Sequence, residues 1–294
     1  MTPGFRLTHT QAVFVMVAVT AMWSIAGVVT RQLEQARSFE ITFWRSFFTV
    51  VSLLVILPLF QGREVFAKIR HAGPALWVSG LCWSVMFTAF MLALTLTTVA
   101  NVLVTLAVGP FLTALIARAF IGYRIPRRTW LAIFVAGAGI AYMYGTQASS
   151  GQLAGTLVAL CVPLAGAVNW TVTQRAHAQG ENVDLVPAVL VGAVLSSLAT
   201  LPLALPFAAS GSDIAWLALL GAVQLAVPCA LSVVCARVLK APEIALLALL
   251  EVIFGILLAW VGANEVPGPT VLTGGTLVIG ALVVNELVGW KQRT

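Results

Sequence analysis

The chain has 294 residues, of which 60% are apolar and only 9% are charged. A soluble domain carries about 25% charged residues, so this composition excludes an ordinary soluble fold and indicates a chain that lies in lipid. The formal net charge of +6 does not indicate nucleic-acid binding, because the basic residues form short clusters between apolar runs.

Ten apolar runs follow one another along the chain. A bilayer core about 30 Å thick needs about 20 apolar residues in a helix. The runs lie at 11–30, 41–60, 75–96, 99–121, 129–146, 154–174, 185–206, 213–237, 243–262 and 270–289. Backbone groups in lipid must pair within their own segment, so each run predicts a helix. The first run is longer than the apolar core of a signal peptide and is interpreted as a retained span.

The basic residues predict the orientation of these spans, because Lys and Arg collect in cytoplasmic segments. With a cytoplasmic N-terminus, the outer loops hold only Arg31 and Arg37, Arg45 falls within the second span, and Arg118 lies near the inner end of the fourth. The inner segments hold Arg6, Arg63, Lys68, Arg70, Arg124, Arg127, Arg128, Arg175, Arg237, Lys240, Lys291 and Arg293. The predicted fold is an all-α integral membrane protein with ten transmembrane helices and both termini cytoplasmic.

A weak internal repeat divides the chain into 1–146 and 147–294. A shift of 141 residues superposes Leu106, Ala107, Pro126, Thr129, Leu131 and Gly139 on Leu247, Ala248, Pro267, Thr270, Leu272 and Gly280. Five spans per repeat is an odd number, so the second copy would be inverted in the membrane. Inverted repeats are a recurrent transporter architecture, with the substrate site at their interface near the midplane.

Four short segments resemble those of a known family. They are Met22-Trp23-Ser24 followed by Gly27, then Phe43-Trp44-Arg45-Ser46, then the junction Ala93 to Asn101 that leads to Gly109-Pro110-Phe111, and finally the turn Gly262 to Pro267. In this order they resemble the drug/metabolite transporter superfamily, in its ten-span branch with paired EamA-type repeats. The overall sequence looks closest to the bacterial YddG-type exporters of aromatic amino acids.

This resemblance implies an exporter in the bacterial inner membrane with alternating access to a central cavity. The chain departs from the family pattern at two positions. Arg124 stands where the first repeat usually carries Glu, and Glu251 stands where the second usually carries Pro. No role for an acidic residue in the first repeat's turn is therefore carried over.

Two charged residues inside predicted spans are candidates for the site. Glu251 lies near the middle of its span, where an ionised group costs about 2.5–3.5 kcal/mol on insertion scales. It is expected either to take a proton or a substrate ammonium in a cavity, or to form a protonated hydrogen bond with another helix. Arg45 could bind a substrate carboxylate, but pairing with an acid such as Glu40 or extension to the outer headgroups is the favoured interpretation.

Amides and aromatic residues deep within spans complete the predicted substrate cavity. The amides Asn101, Asn169 and Gln224 either hold adjacent helices together or bind the polar groups of a substrate. Trp23, Trp83 and Trp170 lie away from the interfacial belts and are expected to stack on an apolar or aromatic substrate. One turn after Trp83, Phe87 would share its face.

Three prolines interrupt predicted spans four, six and eight. They are Pro110, Pro163 and Pro228. A proline removes a backbone hydrogen bond and kinks its helix. The kinks could be static, or they could be hinges around which the two halves rock.

The sequence contains no enzyme signature. The three histidines do not have ligand spacing, and no P-loop or hydrolase motif is present. We therefore expect no catalytic residues, no metal and no cofactor. The expected function is a secondary transporter or facilitator that exports aromatic and other hydrophobic amino acids, with the substrate and the lipid bilayer as its partners. The alternatives are an exporter of drugs or nucleobase-like metabolites and a membrane-embedded enzyme. The sequence leaves open whether transport is coupled to protons and whether the protein is a monomer or an oligomer.

Overall fold

A computed structural model describes residues 7–122, 126–145, 150–178, 185–239, 243–244 and 247–291 of the chain. The helices of the first half are α1 His9–Thr30, α2 Ser38–Gln61, α3 Val65–Arg70, α4 Pro74–Leu96, α5 Val99–Leu106, α6 Gly109–Ile121 and α7 Arg127–Gly145. Those of the second half are α8 Ser150–Ala178, α9 Val186–Ala204, α10 Gly211–Leu219, the π-helix π1 Leu220–Ala226, α11 Val227–Cys235, α12 Leu250–Ala263 and α13 Pro269–Lys291. The described residues contain no strand, which confirms the all-α prediction.

Seven helical segments in the described part of the chain are long and apolar enough to cross a membrane. They are α1, α2, α4, the α5–α6 pair, α8, α9 and the continuous α10–π1–α11 run. Shorter apolar helices lie within α7, α12 and α13. All of these helices lie on the ten apolar runs of the sequence. The count of ten spans stays a prediction for the three shorter ones.

The outer surface of the bundle is apolar. Large side chains that would be buried in a soluble protein are more than half exposed, among them Phe14, Leu59, Phe60, Phe120 and Val261. A soluble protein rarely exposes a large contiguous apolar surface. The surface therefore fits a protein with lipid around it.

Packing between helices follows the same pattern in both halves. The first helix of the second half, α8, packs on α4 and on α5 and α6. Likewise α1, the first helix of the first half, packs on π1 and α11 and on α12. Across the halves, α2 packs on α9 and α7 packs on α13. Such correspondence is what two repeats of one five-helix unit would produce.

Glycine permits two of the closest helix contacts. A Cβ atom at Gly192 in α9 would overlap the Cβ of Trp83 and lie 2.9 Å from the Gly80 carbonyl in α4. A Cβ at Gly139 in α7 would lie 2.9 Å from the carbonyl of Gly274 in α13. Small residues therefore allow these backbones to approach closely, as the glycine-bearing segments of the sequence indicate.

Four connecting segments meet at one end of the bundle, which we call the clamped end. They are residues 31–37, 97–98, 205–210 and 264–268. There Asp213 accepts hydrogen bonds from the backbone N–H groups of Glu34, Gln35 and Ala36 at 2.9, 3.1 and 3.2 Å. Glu40 accepts from the N–H groups of residues 208 and 209 at 3.0 and 2.8 Å. Buried carboxylates thus fix loops of the opposite half.

Most basic residues of the described chain lie towards the other end of the bundle. At the clamped end the described Lys and Arg residues are Arg31 and Arg37, and Arg45 lies inside the bundle. This asymmetry agrees with a clamped end that faces outwards. Four basic residues in the predicted charge pattern lie outside the described residues: Arg6, Arg124, Lys240 and Arg293.

Candidate functional site

A cavity of about 140 Å³ lies in the middle of the bundle, with walls from both halves of the chain. Eight of the residues singled out in the sequence line it: Trp23, Trp83, Phe87, Pro110, Pro163, Trp170, Gln224 and Glu251. The remaining wall is largely aliphatic and aromatic. The structure therefore brings these eight residues together at one cavity, and their role in binding stays a prediction.

The aromatic side of the cavity is built around Trp83. The centroid of its ring lies 5.5 Å from the ring centroid of Phe87, one turn along α4. It lies 5.8 Å from the ring centroid of Trp170 in α8, in an edge-to-face arrangement. Trp23 of α1 lines the same cavity. Edge-to-face and offset aromatic contacts are favourable geometries for such rings. The arrangement can bury a flat apolar group.

Gln224 reaches the cavity from the π-helix π1. Its Oε1 accepts a hydrogen bond from Arg45 at 3.3 Å, and its Nε2 donates to the carbonyl of Trp23 at 3.3 Å. Short π-helical turns within α-helices occur frequently at functional sites. This amide connects three wall elements, α1, α2 and π1, at one point of the cavity.

Arg45 also lines the cavity, although the sequence favoured a structural role for it. Its side chain is 1% exposed, and it donates to the carbonyl of Phe87 at 2.8 Å as well as to Gln224. Glu40, the acid expected to pair with it, instead accepts from the backbone N–H groups of Ala208 and Ala209. The expected pairing of Arg45 with Glu40 is therefore wrong.

Glu251 lies in the cavity wall at the start of α12 and is half-buried. Arg45 and Glu251 line the same cavity from different halves of the chain, and no direct ion pair joins them. The cavity wall thus carries one basic and one acidic side chain beside an aromatic surface. This combination suits a ligand that has both polar and aromatic parts.

Two predicted site residues lie away from this cavity. Asn169 is fully buried between α8 and α4, where its Oδ1 accepts a hydrogen bond from the Ser79 hydroxyl at 2.6 Å. Asn101 donates to the Thr97 hydroxyl at 3.0 Å and lies beside a separate hollow near Glu265 at the clamped end. Both amides therefore hold helices and turns together, the alternative that the sequence left open.

The three prolines differ in what they do to their helices. Pro110 follows a break at residues 107–108 that separates α5 from α6, and Pro228 follows the π-helical turn. Pro163 lies inside α8, which is one continuous helix. The first two thus accompany interruptions of regular α-helix. Their role as hinges stays a prediction.

Metal-ligating residues do not cluster in the part of the chain that the structure describes. No group of three or more His, Cys, Asp or Glu residues there could hold a metal ion. The four cysteines are free thiols, and Cys229 is the one that reaches the cavity wall. Besides the indole rings, the polar side chains of the cavity wall are those of Arg45, Thr113, Gln224, Cys229 and Glu251.

Residues 10–145 match the EamA-like transporter family. This segment, less than half of the chain, is similar to EamA-like transporters, which are membrane transporters of the drug/metabolite transporter superfamily. The matched segment carries Trp23, Arg45 and Trp83 of the cavity, whereas Gln224 and Glu251 lie beyond it. No curated protein matches the chain.

A solved structure extends the comparison to the whole chain. It is a crystal structure of a protein with no further description, and it matches this chain with a TM-score of 0.64. The two sequences are 15% identical, and the match covers 98% of this chain and 100% of the other. At this identity the likeness shows the fold alone. It includes the second half, where the EamA-like match does not reach.

Proposed function

We propose that the protein is a secondary transporter that exports aromatic and other hydrophobic amino acids across the bacterial inner membrane. Its two halves, 1–146 and 147–294, would be inverted five-helix repeats that give alternating access to the central cavity. The observation that carries this proposal is a cavity between the halves that combines an aromatic wall with Arg45, Gln224 and Glu251.

The packing of the helices supports two repeats. A rotation that exchanges the halves would replace α1 by α8. Each of these two helices packs on the third and fourth spans of the other half: α8 on α4 and the α5–α6 pair, and α1 on the π1–α11 segment and α12. The same exchange maps the α2–α9 and α7–α13 contacts onto themselves. A cavity at such an interface can be exposed to either side by rocking one half against the other.

The charge distribution supports the orientation with both termini in the cytoplasm. Basic residues of the described chain lie mainly at the end opposite the clamped end. This bias is that of the positive-inside rule.

The cavity wall supports an amino-acid substrate with a large side chain. Trp83, Phe87 and Trp170 offer stacking and apolar burial to the side chain. The polar groups of an amino acid would meet the amide and the two charged residues of the wall. A purely apolar compound would offer no partner to the buried Arg45 Nε, which has none in the described structure, and an unsatisfied donor is unfavourable in a buried site.

Uptake of radiolabelled phenylalanine into liposomes that contain the purified protein tests the proposal. Protein-free liposomes are the control, and threonine and a lipophilic cation serve as competitors. We expect saturable uptake that unlabelled phenylalanine competes for and the cation does not. Uptake of a labelled lipophilic cation or nucleobase, without uptake of phenylalanine, would contradict the amino-acid assignment and favour export of drugs or other metabolites.

A second measurement distinguishes the energy source. Uptake driven by the substrate gradient alone indicates a facilitator. Uptake that requires a pH gradient across the liposome membrane indicates proton coupling. Both outcomes are compatible with secondary transport, which does not use ATP. The sequence carries no ATP-binding motif.

A further inference from the structure

Arg45 is a buried cation whose hydrogen-bonding capacity is only partly used. A guanidinium has five N–H donors. In the described structure Arg45 uses one terminal nitrogen for Gln224 and the other for the carbonyl of Phe87, and its buried Nε has no partner. A buried charge without a paired anion is unfavourable, so such groups are normally paired and hydrogen-bonded.

The described acids beside α2 and at the clamped end are occupied elsewhere. Glu40 and Asp213 accept backbone N–H groups of loops, and Glu265 pairs with Arg31 at 2.8 Å. Glu251 is the acid that shares the cavity with Arg45, and it makes no direct ion pair with it. Arg31 thus has a carboxylate partner, whereas Arg45 has none among the described residues.

Arg45 is held in place by the packing of α2 against π1. A Cβ atom at Gly221 would lie only 2.6 Å from the Arg45 carbonyl, and the Thr49 hydroxyl donates to the Gly221 carbonyl at 3.1 Å. The guanidinium carbon lies 5.9 Å from the centre of the Phe90 ring. A planar guanidinium fixed in this way is suited to hold a carboxylate through two parallel hydrogen bonds.

We propose that Arg45 binds the carboxylate of an aromatic substrate in the central cavity, while Glu251 on the opposite half accepts its ammonium group. This inference rests on the proposed transport function and adds which residue binds each of the two charged groups of the substrate. A zwitterion gives each charged wall residue a partner and leaves the net charge of the cavity unchanged. An aromatic amine without a carboxylate leaves Arg45 unpaired and adds a positive charge beside it.

The test is ligand-induced thermal stabilisation of the purified protein by four aromatic probes. The probes are phenylalanine, 3-phenylpropionate, phenethylamine and ethylbenzene. We expect phenylalanine to bind best, 3-phenylpropionate to be the better of the two singly charged probes, and phenethylamine to bind at least about tenfold more weakly than phenylalanine, a factor that one charge-assisted hydrogen bond supplies. Equal binding of phenylalanine and phenethylamine by the wild-type protein overturns the proposal.

Variants of Arg45 separate binding from a structural role. Arg45→Gln should lose at least about tenfold in affinity for phenylalanine and 3-phenylpropionate and keep its affinity for phenethylamine, whereas Arg45→Lys, which keeps the charge, should recover part of the loss. The matched control is Arg37→Gln, which removes an exposed arginine at the start of the same helix. Loss of all probes to the same extent by Arg45→Gln, in a variant that elutes and unfolds like the wild type, overturns the proposal.

The outcomes also distinguish this inference from the proposed function. If aromatic carboxylates bind in an Arg45-dependent way but phenylalanine is not transported, the inference stands and amino-acid export fails. If phenylalanine is transported with the same affinity by Arg45→Gln and the wild type, export stands and the Arg45 inference fails. Should Arg45→Gln not fold, Arg45→Lys alone decides the question through the ratio of its affinities for phenylalanine and phenethylamine.

Discussion

Arg31 and Glu265 join the two halves of the chain at the clamped end. The Arg31 Nε donates to a Glu265 carboxylate oxygen at 2.8 Å, and its terminal nitrogens donate to the carbonyls of Leu94 and Thr97 at 2.9 and 3.0 Å. Glu265 also accepts the backbone N–H of Val99 at 2.6 Å. One arginine thus connects the end of α1, the α4–α5 turn and the α12–α13 turn.

Neutralising this pair should destabilise the contact between the halves. Arg31→Gln and Glu265→Gln should each lower the unfolding temperature, and the double variant should lose less than the sum of the two single losses. The expected coupling is about 0.2–1 kcal/mol, the range of partly exposed ion pairs. Unfolding of the purified protein at low and high salt measures it. Strictly additive losses would show that the two side chains do not stabilise each other.

Asp213 should be one of the most sensitive residues at the clamped end. Its carboxylate accepts N–H groups from Glu34, Gln35, Ala36 and Ser210. Asp213→Asn replaces one acceptor oxygen by a donor that faces other donors, so we expect a loss of about 1–3 kcal/mol in the free energy of unfolding.

A matched control exists in the same loop. Glu34 contributes a backbone N–H to this cluster while its own side chain is exposed. Glu34→Gln should therefore leave stability within about 0.5 kcal/mol of the wild type. Equal effects of the Asp213 and Glu34 substitutions would refute the role of the buried carboxylate.

Glu251→Gln should impair transport of substrates that carry an amine. The amide keeps the size of the side chain but removes the negative charge in the cavity wall. We expect weaker uptake of phenylalanine and little change in the binding of 3-phenylpropionate. Uptake assays at several pH values, with and without a pH gradient, measure the effect. Fully wild-type transport that is independent of pH would exclude both a proton and an ammonium role for this residue.

Gly192→Ala should displace Trp83 and so disturb both stability and the cavity. The added methyl group would overlap the Trp83 Cβ and lie 3.0 Å from the backbone nitrogen of Ser84. Overpacking of this kind costs about 1–3 kcal/mol. Thermal unfolding and the tryptophan fluorescence spectrum should both change.

The control for this substitution is Gly137→Ala in α7. No heavy atom lies within 4 Å of a Cβ added at Gly137. Alanine is favoured over glycine inside a helix by about 0.5–1 kcal/mol, so this variant should be as stable as the wild type or slightly more stable. If Gly192→Ala also left stability and fluorescence unchanged, the close approach of α9 to α4 would not hold.

Arg45 illustrates why a local pattern can mislead. The sequence favoured a structural partner such as Glu40, only five positions away. Residues five apart do not share a helix face, since neighbours on a helix are three or four positions apart. Glu40 instead binds residues 208 and 209, a contact that spans the two halves of the chain. Only tertiary packing brings Arg45 to the cavity wall.

The amides show the same limit in a different way. Gln224, Asn101 and Asn169 are equivalent candidates in the sequence, because each is a polar residue in or beside an apolar run. The π-helical turn directs Gln224 towards Arg45 and Trp23, whereas Asn169 packs between α8 and α4. A shift of one residue along a helix turns a side chain by about 100° around the helix axis. The π-helical turn makes such a shift, and no pattern in the sequence predicts it.

The sequence by itself determined the positions of the helices, their lipid environment and the deep aromatic residues of the cavity. These follow from the length of the apolar runs, because a backbone in lipid has no alternative to helical hydrogen bonds. The tertiary structure decided which faces of those helices point inward, which carboxylates fix the loops of the opposite half, and that Arg45 and Glu251 line one cavity. Such contacts join residues far apart in the chain, and their geometry depends on the packing of whole helices, which no local pattern of residues contains.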